Sequence, residues 1–143
     1  LSVSNMFDAW QISINISHKE ITESNILTLA HNIEPLRNAM GYRTCDVRVG
    51  SYVAPPHAAV PGMMNVFVRQ LPEMTPGEAF YHFETIHPFR DGNGRTGYLL
   101  FNMLNGTIRS LTPPPNYWRD PYRPAMTPEE KRESVRFSAK YRS

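Results

Sequence analysis

The residues of this chain that could do chemistry are concentrated in nine positions, from His87 to Arg95. His87 carries an imidazole, which is suited to take a proton from a hydroxyl. Asp91 offers the hard oxygen ligand that Mg²⁺ shares with phosphates. The run Gly92-Asn93-Gly94 can point successive amides into one concavity, which binds phosphate at a helix N-terminus. Arg95 could hold the same phosphate through two hydrogen bonds. A base, a metal ligand and a phosphate cradle in one loop predict phosphoryl or nucleotidyl transfer.

Each of these features has a plainer interpretation when it is taken singly. A histidine before a proline can simply end a helix, and Asp-Gly and Gly-Asn-Gly are common turns. A polar, glycine-rich turn between two apolar helices adds little stability of its own. The order and spacing of the residues therefore favour an active site over a plain turn.

Two helices are predicted to hold this loop, one on each side. The upstream helix begins with Thr75 as its cap and Pro76 in its first turn, and it ends before Pro88. Its apolar spacing turns four side chains towards the core: Ala79, Phe80, Phe83 and Ile86. The downstream helix over residues 96–104 is apolar on most of its surface and is predicted to be largely buried.

The upstream half of the chain supplies further elements. Thr22 or Ser24 can cap a helix that extends to Gly41, with a kink or break near Pro35. Its predicted inner face consists of Ile26, Leu29, Ala30, Ile33 and Leu36. A small β element is predicted at residues 46–54, and another helix just after Pro61.

The two ends of the chain are harder to assign. Alternating apolar residues at positions 10, 12, 14 and 16 indicate a short strand or an extended segment within residues 1–20. Six of the 13 prolines fall between positions 113 and 128, which predicts an extended arm. Thr127-Pro128-Glu129-Glu130 then begins a last helix. We predict one mainly helical domain, with its core at about residues 22–111 and the arm and last helix at 112–143.

Composition limits the classes of function. The 143 residues carry a formal net charge of only +2, and no motif that reads a nucleic-acid groove is present, so nucleic-acid binding is not favoured. Cys45 is the single cysteine, which excludes an internal disulfide and a cysteine-built metal site. No secretory signal pattern and no apolar run of about 20 residues occurs, so we expect a cytoplasmic protein without a membrane partner.

The loop resembles the signature of the Fic family, His-x-Phe-x-Asp/Glu-Gly-Asn-Gly-Arg-x-x-Arg. The match is specific through Arg95, and further similarity covers roughly residues 24–111. The upstream segments that carry it include Tyr42-Arg43, residues 47–50, Pro55-Pro56 and His82-Phe83-Glu84. The resemblance implies a compact helical bundle with a small β-hairpin.

The resemblance also implies a reaction, in which AMP moves from ATP onto a Ser, Thr or Tyr hydroxyl of a target protein. It implies that His87 is the general base, that Asp91 holds Mg²⁺ and that Phe89 anchors the loop in the core. The phosphates would be bound by Gly92, Asn93, Gly94 and Arg95. The hairpin would be a flap that aligns a target segment by strand addition, through Val49, Gly50, Ser51, Tyr52 and Val53.

The sequence departs from the family at two points. Tyr98 replaces the last arginine of the signature, which contacts the distal phosphates of ATP in the family. The family's inhibitory motif, Ser/Thr-x-x-x-Glu/Asp-Gly/Asn, has no match here. These departures leave an unrestrained enzyme, or one restrained by a separate antitoxin-like chain, as the two expectations.

Two other functions stay open. Tyr98 makes another donor plausible, with transfer of UMP, phosphocholine or a terminal phosphate. A binding or assembly module without activity is the second, because the Pro- and Tyr-rich arm suits contact with a partner. Its candidate interface residues are Asn116, Tyr117, Trp118, Tyr122 and Arg123.

Overall fold

The computed structural model describes residues 2–16 and 21–114. Helices α1 (Ser2–Ile14), α2 (Glu23–Ile33), α3 (Val60–Gln70), α4 (Pro76–Ile86) and α5 (Asn93–Asn105) make up most of it. Between α2 and α3 lies one antiparallel hairpin, β1 (Arg48–Val49) and β2 (Tyr52–Val53). The prediction of a mainly helical bundle with a small hairpin is confirmed. The predicted arm beyond residue 114, the last helix and the candidate interface residues of the arm lie outside the described residues.

Helix α5 lies at the centre of the bundle and contacts α1, α2 and α4. Its apolar residues Leu99 and Leu100 are fully buried. They join one core with apolar side chains from the surrounding helices, which include Ile26, Leu29, Ile33, Met64, Phe67, Phe83 and Ile86. The polar loop before α5 is therefore attached at its downstream end to the most buried helix of the fold.

The prediction of a strand or an extended segment within residues 1–20 is wrong, because α1 covers Ser2–Ile14. Ala9 and Ser13 are buried, and Met6 and Trp10 pack partly against the core. These four positions have helical spacing, but two of them are small residues, which weakens the periodic signal. The Trp10 indole N–H also donates to the Ile108 carbonyl at 2.6 Å, which ties α1 to the chain after α5.

The predicted helix from residue 22 to Gly41 is shorter than expected. Thr22 caps α2 by accepting from the Asn25 amide, but the helix ends at Ile33. Pro35 follows two residues later. The helix ends before it because the residue that precedes a proline is biased away from the helical region. Leu36 was placed on the inner face and is instead 91% exposed. The break turns residues 34–40 into a series of turns beside the loop before α5.

Within the described ranges, no helix combines the length and the apolar character that crossing a membrane requires.

Candidate active site

His87 lies at the C-terminal end of α4, where the loop begins. Thr75 caps this helix as predicted, and Thr75 and Glu78 together form a capping box with hydrogen bonds of 3.1 and 3.0 Å. At its end His87 adopts a left-handed conformation with φ of 51°, the single non-glycine residue with positive φ among those described. This conformation is costly for a residue with a Cβ and usually falls to glycine. A histidine held there indicates that its side-chain direction is fixed by the surrounding structure.

The surroundings of His87 keep its imidazole neutral. Burial of the half-buried ring lowers its pKa, and the nearby positive charge of Arg43 lowers it further. A ring N–H that donates to the Glu84 carbonyl and the charge of Asp91 act in the opposite direction and are smaller effects. The pKa of His87 therefore lies below its ordinary value. At neutral pH the ring can accept a proton, as a general base must.

Asp91 sits where residues 34–40 meet the loop. The Asn38 side chain donates to the Asp91 carbonyl at 2.9 Å and to the Ala30 carbonyl at 2.9 Å, and it accepts from the Asp91 amide. The Asp91 carboxylate accepts from the Gly92 amide at 2.8 Å and lies 3.6 Å from the Arg37 Nε. Its side chain is 42% exposed, so it is accessible from solvent. The backbone of Asp91 is held firmly while its carboxylate faces outwards.

The turn before α5 opens a set of backbone amides. Gly92 has φ of 75°, and a Cβ there would lie 2.9 Å from the Ile33 Cγ2 atom. Both the conformation and the close approach of α2 therefore require glycine. The next amides, of Asn93, Gly94 and Arg95, belong to the first turn of α5, where helix geometry supplies no carbonyl partner. These three amides lie at the N-terminus of a buried helix, where an anion was predicted to bind.

The side chain of Asn93 has a structural task. It is buried, its Oδ1 accepts from the Phe89 amide at 2.9 Å and its Nδ2 donates to the Phe89 carbonyl at 2.8 Å. The side chain thus closes the loop from Phe89 to Asn93 into a ring. What Asn93 can offer a phosphate is its backbone amide.

Arg95 is paired with a residue that sequence reasoning missed. Its Nη2 lies 2.8 Å from the Glu34 Oε1, and 3.9 Å from the Asp91 Oδ1. Glu34 directly follows α2, 61 residues earlier in the chain. A phosphate that binds Arg95 must therefore compete with the Glu34 carboxylate. Pro35 indicated that the chain leaves the helix near this point. It did not indicate that the following segment packs against Arg95.

These groups line one open depression of about 280 Å³. Seven described residues form its walls: His87, Arg90, Asp91, Gly92, Asn93, Gly94 and Arg95. Every residue predicted as base, metal ligand or phosphate-binding residue is among them. Tyr98, one helical turn further on, is half-buried and does not belong to this set.

The site fits a magnesium ion only if phosphates complete its coordination. Among the described residues, no group of three or more His, Cys, Asp or Glu side chains lies close enough to hold a metal. Mg²⁺ commonly binds through one or two carboxylates together with substrate phosphates and waters. Asp91, exposed beside an amide-rich helix end, matches that arrangement.

The predicted flap lies across the end of α4. Arg48 pairs with Val53 and Val49 with Tyr52, which leaves Gly50 and Ser51 at the tip. The Tyr52 hydroxyl donates to the Thr85 carbonyl, so the hairpin is fastened two residues before His87. Burial raises the pKa of Tyr52 to about 12, so the hydroxyl keeps its proton for this bond at neutral pH. Val53 is 62% exposed on the outer side.

Glu84 is a buried carboxyl group behind the site. One of its oxygens has no hydrogen-bond partner in the described structure, and a Cβ on Gly97 would lie 2.5 Å from it. Gly97 is therefore needed for the close contact of α4 with α5. Burial raises the pKa of Glu84 to about 8, so the group is largely protonated at neutral pH.

We expect Glu84→Gln to change the pH dependence of stability. The folded pKa of about 8 exceeds the ordinary value of 4.5, so stability is full below pH 4.5 and falls as the pH rises towards 8. The loss per pH unit in this window approaches about 1.4 kcal/mol, and glutamine removes it. In urea denaturation, the free energy of unfolding of the variant relative to that of the wild type should be higher at pH 8 than at pH 4.5. Glu73→Gln, at an exposed position, is the control, and equal pH dependence of wild type and Glu84→Gln would contradict the expectation.

Comparison with known proteins gives consistent matches. Residues 16–104 match the model of the Fic/DOC family. The chain is 34% identical over 108 residues to the Protein adenylyltransferase Fic of Aedes aegypti, covering 69% of this chain and 21% of that protein. It is also 34% identical over 110 residues to the Protein adenylyltransferase Fic of Drosophila melanogaster, covering 71% of this chain and 22% of that protein.

The fold is found in a solved structure as well. A crystal structure of a Fic family protein from Desulfovibrio desulfuricans G20 superposes with a TM-score of 0.61 at 22% identity. The superposition covers 97% of this chain and 44% of the other. The chain spans about a fifth of the length of the curated relatives named above.

Proposed function

Since this chain belongs to the Fic/DOC family, we propose that it is a protein adenylyltransferase that moves AMP from ATP onto a hydroxyl of a target protein. The observation that carries the proposal is the single depression lined by His87, Asp91 and the amide-rich start of α5. A proton acceptor, a carboxylate and an anion-binding helix end are the groups that nucleotidyl transfer needs. The two relatives named as adenylyltransferases support the choice of donor.

The proposed reaction makes one bond and breaks one bond at phosphorus, and it moves one proton. The neutral imidazole of His87 takes the proton of a Ser, Thr or Tyr hydroxyl. The hydroxyl oxygen attacks the α-phosphorus of ATP, the bond from that phosphorus to the bridging oxygen breaks, and pyrophosphate leaves. The amides of Gly92, Asn93 and Gly94 hold the phosphates, with the α5 dipole favouring the negative charge.

Two charged side chains complete the proposed nucleotide site. Asp91 would hold Mg²⁺, which neutralises phosphate charge when bound. Arg95 would bind the phosphates with its guanidinium, and this requires it to loosen its 2.8 Å contact with Glu34. The Glu34 carboxylate thus lowers the affinity of the resting site for anions.

The hairpin would receive the target. Both of its strands are two residues long, and each presents an outer edge to which an extended peptide can add as a further strand. Because the Tyr52 hydroxyl fastens β2 to the end of α4, a peptide paired there would be held close to His87. An antitoxin-like inhibitor chain remains part of the proposal as a second kind of partner.

We expect Gly94→Ala to separate stability from nucleotide binding. Gly94 is exposed in the first turn of α5, and a Cβ there would meet no protein atom within 4 Å. The protein itself gives no reason for glycine, whereas an approaching phosphate does. Alanine should raise the free energy of unfolding by up to about 1 kcal/mol. It should also weaken MgATP binding by about tenfold, the equivalent of one charge-assisted hydrogen bond.

Gly62→Ala is a matched control for this variant. Gly62 also lies in the first turn of a helix, is exposed, and has open space at its Cβ, but it is in α3. Both variants should be stabilised in urea denaturation, and only Gly94→Ala should lose affinity in calorimetry with MgATP. Equal MgATP affinities in the two variants would contradict phosphate binding at Gly94.

The proposed donor chemistry is tested by labelling with ATP that is radioactive at either its α- or its γ-phosphate. Purified protein with Mg²⁺ and a cell lysate should transfer label from the α-phosphate, and the γ-label should not rise above that of the lysate alone. A γ-label above that of the lysate alone, with no α-label, would replace AMP transfer by phosphate transfer. No transfer from either position would end the proposal of an ATP-dependent enzyme.

A second donor is favoured by one observation. Arg95 is occupied by Glu34, and the uncharged Tyr98 takes the place of an arginine, so the distal phosphates of ATP would meet less positive charge. A donor with fewer phosphates, such as one that delivers phosphocholine, would need less positive charge around its phosphates. Competition of unlabelled donors against MgATP binding distinguishes ATP from the second donor, because the true donor should bind more tightly.

A further inference from the structure

Arg43 is a buried cation that touches no reacting group in the steps proposed above. It is 4% exposed and lies between the end of α4 and the two segments that enter and leave the hairpin. Burial lowers its pKa, yet a guanidinium remains charged in proteins because its ordinary pKa is so high. A permanently charged group in this position needs polar partners around it.

The guanidinium finds those partners in four backbone carbonyls. Towards α4, its Nε donates to the His87 carbonyl at 2.7 Å and its Nη2 to the Ile86 carbonyl at 3.3 Å. Towards the hairpin, its Nη1 donates to the Cys45 carbonyl at 3.0 Å and its Nη2 to the Pro55 carbonyl at 2.6 Å. One planar group therefore joins the last turn of α4 to both ends of the hairpin segment.

The backbone of Arg43 adds a fifth contact. Its amide donates to the Pro88 carbonyl at 2.9 Å. Arg43 thus holds three successive carbonyls, those of Ile86, His87 and Pro88. These carbonyls surround the residue whose left-handed conformation directs the imidazole.

We propose that Arg43 is a positioning residue, which fixes the His87 imidazole and the target-docking hairpin relative to each other. This inference rests on the proposed function, because it takes His87 as the base and the hairpin as the docking site. Arginine suits the task because its rigid fork presents five N–H donors in fixed directions. Lysine keeps the charge but lacks the fork, and its three N–H donors cannot serve all four carbonyls.

The nucleotide half of the site is held by other residues. Asn38 fixes the backbone of Asp91, and Asn93 closes the loop on Phe89. Glu34 lies against Arg95. None of the hydrogen bonds that Arg43 donates goes to residues 89–95. Loss of the Arg43 side chain should therefore affect proton abstraction and target alignment and leave nucleotide affinity nearly unchanged.

The test compares Arg43→Gln, Arg43→Lys and the wild type in three measurements. Transfer of α-labelled ATP onto the protein itself and onto lysate proteins should fall about a hundredfold in Arg43→Gln, the scale expected for a misplacement of about 1 Å. In Arg43→Lys the loss should be about tenfold. Calorimetry should give MgATP affinities within about twofold of the wild type, since the loop keeps its own anchors.

Amide hydrogen exchange is the third measurement, and it needs no activity. Exchange in the hairpin and in the last turn of α4 should accelerate together in both variants, while α2 and α5 keep their protection. Arg69→Gln, an exposed arginine on α3, is the control and should match the wild type in all three measurements. If Arg43→Gln does not fold, Arg43→Lys carries the test.

Two results would overturn the inference. Transfer and MgATP affinity falling by the same factor would show a general structural role, and unchanged exchange in the hairpin and α4 would show no mechanical link. Failure of the proposed function looks different, since the wild type itself would then transfer no α-label. In that case the exchange measurement still decides whether Arg43 joins the two elements.

Discussion

His87→Ala is expected to abolish transfer while leaving the fold intact. General bases contribute about 10²- to 10⁴-fold to enzymatic rates, so the rate of labelling should fall by at least about a hundredfold. His87 lies in a left-handed turn at the end of α4, and its ring is only half-buried at the edge of the depression. Removing the ring creates no core cavity, so the free energy of unfolding should change little.

The measurement is a rate of label transfer from α-labelled ATP, taken beside a urea denaturation curve. His31→Ala is the matched control, because His31 is exposed on α2 and lies outside the depression around His87. MgATP affinity should remain near that of the wild type in both variants, since the phosphates are assigned to the start of α5. Transfer at the wild-type rate in His87→Ala would remove this residue from the mechanism.

Phe89→Ala is expected to have the largest effect on stability. The ring is fully buried, with ring centroids 5.6 Å from Tyr42 and 6.3 Å from Phe83. Replacing a buried phenylalanine by alanine costs about 3–5 kcal/mol, because transfer energy is lost and a cavity remains. This is a large part of the stability of a small domain. The predicted role of Phe89 as the anchor of the loop rests on this burial.

Denaturation in urea should show the loss as a lower midpoint, and the control is Phe7→Ala. Phe7 is 55% exposed on α1, so its loss should be much smaller. MgATP binding should also weaken in Phe89→Ala at temperatures where the protein is folded, because Asn93 pairs with both polar backbone groups of Phe89. Phe89→Ala with wild-type stability would contradict the packing of this loop.

The parts of the structure that could be predicted from the sequence depend on neighbours along the chain. The helix cap at Thr75, the helix end before Pro88 and the small β element within residues 46–54 each follow from local patterns, and each is confirmed. The family was likewise predicted from one continuous loop, and the family match over residues 16–104 confirms it. In such segments the chemistry and the turn geometry are encoded by adjacent residues.

The parts that could not be predicted depend on distant partners. Asn38 meets Asp91 across 53 positions, and Glu34 meets Arg95 across 61. No local pattern marks these pairs, since each is created only when α2 ends early and the following turns fold back over α5. Helix α1 was missed for a related reason. Its buried residues Ala9 and Ser13 are small, and only the packing of other helices against them shows that they face the core.

The central claim is that this chain adds AMP to a protein hydroxyl, and mass spectrometry of the modified protein tests it most directly. The protein is incubated with MgATP and a cell lysate, and the modified peptides are sequenced by fragmentation. The proposal predicts the mass of one AMP on a Ser, Thr or Tyr side chain, and its absence when His87→Ala is used. A single phosphate in place of AMP, absent from the lysate alone, would contradict it, and so would AMP still present with His87→Ala.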